Sequence, residues 1–426
     1  MNNVTVNLAT VRRMLLAAQG LLQPPARPAE KVDVLDAIHR MGVLQIDTIH
    51  VVARSPYFVL WSRLGSYDPS WLDEHLAEGL LFEYWAHAAC FIPIEDYPLY
   101  RYRMDRLNQR YYSGDWIEKH QTAVDVVLEK ICADGPVRSA DFERTDGQKG
   151  SWWNWKEEKQ ALEYLHTIGH LMIARREKFQ RVYDLRERIL PDWDTSPEIS
   201  KEEAEDEFAV RAVRHLGIVP ARWAHDYYRI PKLGIGKRME RLAESGRVLS
   251  IAVEGWKEPG YIHPENLSLL EQATGGELTP TVTTLLSPFD PIVWDRERAR
   301  GLFNFDYTIE CYTPEAKRLY GYFTLPILHE DALVGRLDAK AHRKEGIFAV
   351  RSIHLEPSVH PTVDLTQAVA GAIIRCADWH GTPQVVVERS APDTFKTMLE
   401  SALGERLTAD TPSTVLSAEE NLTDAE

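Results

Sequence analysis

The stretch that decides the fold is residues 155–185, WKEEKQALEYLHTIGHLMIARREKFQRVYDL. Its first half has apolar residues at helical spacing and stops at Gly169, whereas its second half predicts two strands around a charged turn. Upstream, TAVDVVLEKICADG predicts another helix that ends at Gly135, and PVRSADFE predicts a turn with a short helix. Three helices followed by a two-stranded ribbon are the element order of a winged helix.

The same order of elements recurs over residues 202–263. Three helices are predicted by EEAEDEFAVRAVRHLG, VPARWAHDYYRIP and GIGKRMERLAESG, and a strand–turn–strand by RVLSIAVEGWKEPGYIHP. Because the pattern occurs twice in series, with basic residues on the last helix of the second copy, it favours tandem winged helices. The acidic run EISKEEAEDE between the copies predicts a solvated helix start or linker.

The predicted fold class is α+β, with tandem winged-helix domains followed by a β-rich C-terminal domain. The N-terminal part predicts mainly helices, with LFEYWAHAACFIP (81–93) as a strand, and residues 280–400 predict strands with turns at HED and RKEG. The expected segments are an N-terminal winged-helix-like domain (1–118), a second winged helix (119–196), a third winged helix (197–275), the β-rich domain (276–404) and a disordered acidic tail (405–426).

Charge is distributed unevenly along the 426 residues, which carry a formal net charge of −15. Acids concentrate in residues 198–207 and 400–426, whereas residues 211–247 contain nine bases against three acids. An anionic ligand meets the local field, so an acidic total does not exclude a polyanionic partner. No apolar run is long enough to span a bilayer and no signal peptide is evident, so we expect a cytoplasmic protein with no membrane partner.

Common catalytic and metal-binding motifs do not occur in the sequence. There is no GxxxxGK[ST] loop for nucleotide phosphates, no GxSxG and no HExxH. Cys90, Cys132, Cys311 and Cys376 form no CxxC pair, so we expect four small buried side chains rather than a zinc site. The sequence therefore predicts neither a metal nor a cofactor.

Gln45-Ile46-Asp47 is the most informative local feature. In an extended segment residues i and i+2 project to the same face, so Gln45 and Asp47 point together while Ile46 anchors the segment in the core. Burying two polar groups without partners costs on the order of a few kcal/mol. The residues alone leave two interpretations open: a functional pair, or a structural pair in which Asp47 caps a turn near Thr48 and Gln45 bonds to the backbone.

Longer segments give the chain a family resemblance. LQIDTIHVVARSPYFVLWSRLGSYDPSWLDE is followed in collinear order by EYWAHAACFIP, GPVRSADFE, FQRVYDL, LSPFDPIVWDR, ECYTPEAKRLYGYF and LVGRLDAKAHR. Together these segments closely resemble the YcaQ branch of the AlkZ-related interstrand-crosslink DNA glycosylases, in the winged-helix glycosylase superfamily. The resemblance runs from about residue 8 to about residue 390 and leaves out the acidic tail.

The resemblance implies a C-shaped cleft for duplex DNA and hydrolysis of the N-glycosidic bond of N7-alkylguanine, including crosslinked guanine, to leave abasic sites. The catalytic signature of the family is Gln, an apolar residue, then Gln or Asp, and it matches Gln45 and Asp47. Asp47 is expected to activate a water and to stabilise the oxocarbenium ion at C1′. Gln45 is expected to position that water. No amine nucleophile for a lyase reaction stands beside the motif.

Several other residues are candidates for binding DNA. Arg54 and Tyr57 are expected to hold a phosphate or the sugar edge, with core packing as the alternative for Tyr57. Trp85 and His87 are expected to line the same site, with a satisfied core histidine as the alternative for His87. The candidates for phosphate contact on the last helix of 202–263, a solvated basic face being the alternative, are Lys237, Arg238 and Arg241.

Two further groups are open to structural interpretations. Asp338 and Lys340 form a same-face pair on a predicted strand, for which a salt bridge is the alternative. The tryptophans interpreted as core rather than base-stacking residues are Trp152, Trp153 and Trp155.

Two other functions compete with the glycosylase prediction. A non-enzymatic winged-helix DNA-binding regulator would make Gln45 and Asp47 dispensable. A metal-dependent nuclease would need an acidic ligand cluster, which the sequence does not offer. We expect a monomer whose partner is double-stranded DNA carrying N7-alkylguanine or crosslinks.

Overall fold

The structure is a computed structural model that describes residues 5–112, 116–142, 156–195 and 198–409. The chain divides into two compact units. The middle unit is Pro69–Phe208, and the terminal unit combines Met1–Asp68 with Ala209–Glu426. The motif Gln45-Ile46-Asp47 therefore belongs to the same unit as the C-terminal half of the chain. The five segments expected from the sequence stay predictions.

Helices and strands are numbered here in chain order. The helices are α1 (Leu8–Ala18), α2 (Lys31–Met41), α3 (Ser55–Leu64), α4 (Ser70–Ala77), α5 (Tyr97–Tyr112), α6 (Trp116–Asp134), α7 (Glu157–Thr167), α8 (Arg186–Ile189), α9 (Lys201–Leu216), α10 (Ala221–Tyr227), α11 (Ile235–Glu244), α12 (Leu267–Thr274), α13 (Arg296–Phe303), α14 (Val363–Trp379) and α15 (Asp393–Leu403). The strands are β1 (Thr5–Val6), β2 (Leu44–Gln45), β3 (Leu81–Trp85), β4 (Ala89–Pro93), β5 (Val137–Arg138), β6 (Leu171–Glu177), β7 (Gln180–Leu185), β8 (Ile218–Pro220), β9 (Leu249–Val253), β10 (Gly260–Ile262), β11 (Thr283–Leu285), β12 (Thr324–His329), β13 (Ala332–His342), β14 (Ile347–Leu355), β15 (Gln384–Val387) and β16 (Ser390–Ala391).

The first strands of the middle unit form a hairpin. β3 and β4 pair antiparallel, with Leu81 opposite Pro93. The turn between them is closed by a hydrogen bond from the backbone N–H of Ala86 to the carbonyl oxygen of Ala88. The single strand expected over 81–93 is therefore wrong. The reversal was not predicted because no Gly, Pro, Asn or Asp marks it in the sequence.

A second hairpin lies later in the middle unit, where α6 and α7 pack together before a sheet of order β5-β7-β6. β6 and β7 pair antiparallel, so the two strands expected over residues 170–185 are confirmed. The residues between them, Lys178 and Phe179, have φ values of +50° and +70°. Two consecutive positive φ angles are typical of a tight hairpin turn whose twist matches that of the flanking strands.

A buried ion cluster joins the first hairpin to this sheet. Glu83 on β3 accepts hydrogen bonds from Arg176 on β6, the shorter at 2.7 Å, and from Arg181 on β7. Arg181 also donates to Glu163 on α7 at 2.8 Å. Burial alone would raise the pKa of Glu83, but the charges of Arg181 and Arg176 lower it to about 2. The cluster therefore holds four elements of the middle unit in one arrangement.

The terminal unit contains a sheet of order β1-β9-β10-β8, in which β1 is parallel to β9 and the other pairs are antiparallel. The elements expected over 202–263 are confirmed as α9, α10, α11, β9 and β10. On α11, Ile235, Met239 and Leu242 are buried, three and four residues apart. This spacing leaves the basic residues of α11 on the opposite face.

The β-rich part of the terminal unit is a sheet of order β11-β12-β13-β14-β15, with β16 paired to β14. β12, β13 and β14 form an antiparallel meander, so the turns expected at HED and RKEG are confirmed. β15 joins β14 in parallel through α14, the helix expected over 363–381. The observed fold is mixed α and β, whereas the tandem winged-helix arrangement stays a prediction.

Several expectations concern segments at or beyond the edges of the described residues. Arg406 pairs with Asp378 at 2.6 Å and Leu407 bridges to Val385, so the start of the tail expected to be disordered from 405 lies against β15. The acidic run EISKEEAEDE enters α9, as expected of a helix start, but the expectation that it is solvated is wrong for Glu205 and Asp206, which are buried in the helix. The expectations for three tryptophans and for most of the acidic tail concern residues that lie outside the described part of the chain, namely Trp152, Trp153, Trp155 and 410–426.

Among the described helices, none combines the length and the apolar character needed to cross a membrane.

Candidate active site

The motif follows a helix end that requires glycine. α2 ends at Gly42, where φ is +72° and a Cβ atom would lie 2.4 Å from both His215 Nε2 and Tyr228 Oη. The backbone conformation and the close packing both exclude a larger residue. The His215 ring also bonds the carbonyl oxygen of Arg40 at 2.8 Å. The end of α2 is thereby fixed against α9 immediately before the chain enters β2.

The motif shows the alternation expected from the sequence. Ile46 is buried, whereas Gln45 and Asp47 are half-buried. Gln45 ends β2, and the chain continues without regular secondary structure through Asp47. One apolar anchor therefore lies between two polar side chains that keep access to a ligand.

Asp47 combines a turn-capping role with a basic carboxylate. Its Oδ1 atom accepts a hydrogen bond from the backbone N–H of Ile49 at 2.8 Å, which is the turn cap of the structural interpretation. No described residue donates a hydrogen bond to its other oxygen, Oδ2. Burial raises the pKa of Asp47, and the Ile49 N–H only partly offsets this effect. Oδ1 thus holds the turn, while Oδ2 can accept a hydrogen bond or a proton from a ligand.

A buried ion pair holds the helix that follows the motif. α3 begins at Ser55 with Pro56 in its first turn, and Arg63 lies near its end. The Arg63 guanidinium donates to Asp290 at 2.6 and 3.1 Å and to the carbonyl oxygen of Gln19 at 2.9 Å. A bidentate, fully enclosed pair fixes both direction and distance, so α3 is held against the segment that leads from β11 to α13. The sequence offered no signal for this pair.

A loop of the C-terminal half lies near Asp47. We call residues 310–323, ECYTPEAKRLYGYF, the aromatic loop. Burial raises the pKa of Cys311, Tyr312 and Tyr322, and the negative charge of Asp47 raises each of them further. The sequence alone assigns these side chains no function, although their segment is part of the family resemblance.

Glu310 fixes one part of the aromatic loop by capping its backbone. Its carboxylate accepts hydrogen bonds from three consecutive backbone N–H groups, those of Leu319 at 3.0 Å, Tyr320 at 2.8 Å and Gly321 at 3.1 Å. These bonds hold the pKa of Glu310 below its usual value although burial acts the other way. The two ends of the loop are thereby drawn together.

Asp338 on β13 fixes the next two residues of the loop. Its oxygens accept from the backbone N–H groups of Tyr322 and Phe323, both at 3.2 Å. Gly321 has φ +143°, and a Cβ atom there would lie 2.4 Å from the Asp338 side chain. The salt bridge considered for Asp338 and Lys340 is therefore wrong, because the carboxylate bonds the loop backbone instead.

The turn between β13 and β14 contacts the segment after the motif. Arg343 in this turn donates to the carbonyl oxygen of Val52 at 2.7 Å and to the ring nitrogens of His50 and His380, both at 2.8 Å. Burial, followed by the Arg343 charge, lowers the pKa of His380 to about 4, so its ring is neutral and able to accept. The Arg343 guanidinium therefore places a positive charge against the segment that follows Asp47 in the chain.

Arg54 and Tyr57 lie in the same unit as the motif. Arg54 is half-buried and directly precedes α3. Tyr57 is half-buried in the first turn of α3, and its carbonyl oxygen accepts from the Tyr67 hydroxyl at 3.0 Å. Their contacts with DNA stay predictions.

Trp85 and His87 belong to the middle unit. Trp85 ends β3 with 51% of its surface exposed, and its carbonyl oxygen accepts from Arg103 at 3.1 Å. His87 was expected within an apolar strand, which is wrong: it lies in the turn between β3 and β4, half-buried, with Nδ1 3.9 Å from Cys90 Sγ. That these two residues line one site with the motif stays a prediction.

The basic candidates on α11 are positioned on its outward side. Lys237 and Arg241 are exposed one helical turn apart, and Arg238 between them is half-buried. This placement fits a phosphate-contacting face and a solvated face equally well, so the phosphate contacts stay predictions.

The described residues contain no group of three or more His, Cys, Asp or Glu side chains that could hold a metal ion. Cys90 and Cys376 are buried as expected, whereas Cys132 is exposed and Cys311 is half-buried. The expectation of four buried cysteines is wrong because Cys132 lies on the solvent side of α6 and Cys311 lies in the aromatic loop.

Comparisons with known proteins give the family. The model of the family described as "DNA glycosylase AlkZ-like" matches residues 38–379, a range that contains both the motif and the aromatic loop. The structure is similar to that of the Streptomyces sahachiroi DNA glycosylase AlkZ, with 16% sequence identity and a TM-score of 0.58, over 91% of this chain and 100% of that chain. At this identity the structural likeness shows a shared fold, while the family match spans most of the chain. The chain therefore belongs to the AlkZ-like DNA glycosylase family and is a DNA-repair enzyme whose partner is DNA.

Proposed function

We propose that the chain is a monofunctional glycosylase that hydrolyses the N-glycosidic bond of N7-alkylguanine, including guanine in interstrand crosslinks, and leaves an abasic site. The observation that carries the proposal is the state of Asp47. It is a partly desolvated carboxylate with a raised pKa, two residues from Gln45, with one oxygen held by a backbone N–H and the other without a described donor.

The chemistry of the lesion decides what the enzyme must supply. Alkylation at N7 places a positive charge on guanine, which makes the base a good leaving group without strong protonation. The sugar then develops oxocarbenium character at C1′, and a water must attack that carbon. The requirements are a negative charge near C1′ and an acceptor for the proton of the water.

We assign the proton acceptor and the negative charge to Asp47, and the orientation of the water to Gln45. Oδ2 of Asp47 accepts the water proton while the carboxylate charge stabilises C1′, and its raised pKa makes it a better base than an ordinary aspartate. Gln45 carries both a donor and an acceptor, so it orients the water but cannot take its proton at neutral pH. Ile46, buried between them, holds the two side chains at a fixed separation.

A hydrolytic rather than a lyase reaction fits the residues around the motif. A lyase reaction needs an amine that forms a Schiff base with the sugar. The sequence has no lysine between Lys31 and Lys119, so the motif segment itself provides no such amine.

The proposal includes the way in which DNA is held. The helices and hairpins of 119–196 and 197–275 act as tandem winged helices, and Lys237, Arg238 and Arg241 contact phosphates. Arg54 and Tyr57 contact the sugar-phosphate next to the motif, and Trp85 and His87 also contact DNA. A crosslinked guanine cannot rotate freely out of the duplex, so the enzyme must reach its sugar from a groove instead of extruding the base. The enzyme acts as a cytoplasmic monomer without a metal.

One assay tests the reaction. DNA methylated at N7 of guanine is incubated with the chain in EDTA, and free 7-methylguanine is measured by mass spectrometry together with abasic sites. We expect both products in equal amounts, with unbroken strands. A second substrate, a duplex with an N7-linked interstrand crosslink, tests whether the crosslink is released.

Matched variants separate the competing functions. Asp47→Asn keeps the shape of the side chain and is expected to abolish release while DNA binding persists. A regulator would bind DNA but release no base in the wild-type form. A nuclease would break strands only when a divalent cation is added. Release of 7-methylguanine at the same rate by wild type and Asp47→Asn would overturn the roles given to the motif.

A further inference from the structure

The aromatic loop exposes apolar surface beside the motif. Tyr312 has 85% of its surface exposed and Leu319 has 77%, although both belong to a loop packed on the β-rich sheet. Apolar surface that is exposed as one patch marks an interaction site, whereas single scattered apolar residues are common on any protein surface. Both belong to the aromatic loop, in which the negative charge of Asp47 contributes to the raised pKa values of Cys311 and Tyr312.

Contacts within the loop hold its backbone next to these side chains. Arg318 donates from Nε to the carbonyl oxygen of Thr313 at 2.8 Å and packs its guanidinium over the Tyr322 ring at 4.9 Å. Together with the Glu310 and Asp338 caps, these contacts hold both sides of the loop. An element fixed in this way presents its exposed side chains with little entropy to lose on binding.

A series of contacts also links the loop to the helix that follows the motif. Phe323, the last residue of the loop, packs its ring 6.1 Å from that of Phe289. The backbone N–H of Phe289 donates to Ser287 Oγ, and Ser287 Oγ bonds Ser55 Oγ at 3.3 Å. Ser55 is the first residue of α3, eight residues after Asp47. The loop and the motif segment therefore belong to one packed arrangement.

We propose that the aromatic loop is a DNA-contacting element and that Tyr312 stacks on the base that neighbours the damaged guanine. The inference rests on the proposed function, because a loop close enough to Asp47 for its charge to act on Cys311 and Tyr312 lies near the lesion when Asp47 faces C1′. Tyr312 offers a large, flat, exposed ring, which is what a base exposed by a disrupted pair requires. Its phenol is neutral at physiological pH because the ordinary pKa of a tyrosine is about 10, so it adds no repulsion to phosphates. Leu319 contributes further exposed apolar surface on the same loop.

The test uses the full chain and a duplex that cannot be hydrolysed. A tetrahydrofuran abasic analogue replaces the damaged nucleotide, and 2-aminopurine replaces the neighbouring base. Wild type is expected to bind and to change the 2-aminopurine fluorescence through stacking. Tyr312→Ala is expected to bind about 5- to 150-fold more weakly, the range for loss of one base–aromatic stack, and to lose the fluorescence change. Tyr312→Phe keeps the ring and should behave as wild type.

Controls distinguish the possible outcomes. Val363→Ala removes another exposed apolar side chain, at the start of α14, and should leave binding and fluorescence unchanged. Wild-type affinity and fluorescence in Tyr312→Ala, or no fluorescence change in wild type, would overturn the inference, and the exposed ring would then point to a protein partner. Because no base is released in this assay, its result is independent of the 7-methylguanine measurement that tests the proposed function.

Discussion

Arg63 and Asp290, 227 residues apart in the chain, form a bidentate ion pair of 2.6 and 3.1 Å with side chains that are 3% and 0% exposed. The pair joins α3, which follows the motif, to the segment between β11 and α13. Ser55, at the start of α3, bonds Ser287 of the same segment. The helix that follows the motif is thus held on the C-terminal half of the chain by a polar contact at its start and an ion pair near its end.

Asp290→Asn is expected to lower the free energy of unfolding by about 3–5 kcal/mol, because it leaves the Arg63 guanidinium buried without a counter-charge. Urea unfolding followed by fluorescence measures the change. The control is the double variant Arg63→Met with Asp290→Leu, which removes both charges and should unfold closer to wild type than the single variant. A single variant as stable as wild type would show that the pair does not hold α3.

The sequence predicted the elements whose signal is local. α11 and the hairpin at 170–185 follow from hydrophobic spacing and turn position within fewer than twenty residues. The alternation around Ile46 was also readable, because it depends only on neighbouring residues. The hairpin at 81–93 was missed because its turn, Ala86 to Ala88, has no turn-forming residue.

The contacts that position the site join distant parts of the sequence. Nothing near Glu310 shows that its carboxylate caps Leu319, Tyr320 and Gly321, since this depends on the path of the loop. The Arg63–Asp290 pair could not be predicted for the same reason. The sequence alone identified the motif, whereas the contacts that surround it could be recognised only in the folded structure.

Asp47→Asn is expected to lower the single-turnover rate of 7-methylguanine release at least about 100-fold, since general acid–base catalysis alone contributes about 10²–10⁴. Gln45→Ala should lower the rate less, because it removes only the positioning of the water. The double variant should lose less than the product of the single effects, since both residues act on one water. DNA affinity should change little, and a multiplicative loss would show independent roles.

The pH dependence follows from the raised pKa of Asp47. The base must be ionised, so activity should fall as pH drops through this pKa, at a higher pH than an ordinary aspartate would give.

The pH dependence of stability has the opposite sign to that of a salt-bridged carboxylate, because the fold disfavours the ionised form of Asp47. Asp47→Asn should therefore be at least as stable as wild type above the native pKa, and the difference should vanish below the unfolded pKa. Thermal unfolding across pH measures it, and a less stable Asn variant at neutral pH would contradict the desolvation of Asp47.

Two truncations test the C-terminal boundary. A chain that ends at residue 409 keeps the Arg406–Asp378 pair and the Leu407–Val385 bridge, so its melting temperature and activity should equal those of the full chain. A chain that ends at residue 404 loses both contacts and should melt at a lower temperature. Equal melting temperatures for the two truncations would show that these contacts add no stability.

The basic face of α11 is expected to set the salt dependence of DNA binding. Each phosphate neutralised contributes a slope of about −0.9 to the plot of log K against log salt. Lys237→Ala and Arg241→Ala together should therefore make the slope less steep by up to about 2 and weaken binding to damaged and undamaged duplexes alike. Arg27→Ala is the matched control, because Arg27 is an exposed cation already paired with Asp33 at 2.8 Å. An unchanged slope in the α11 double variant would assign Lys237 and Arg241 to a solvated face, and the phosphate contacts would then have to come from other basic residues.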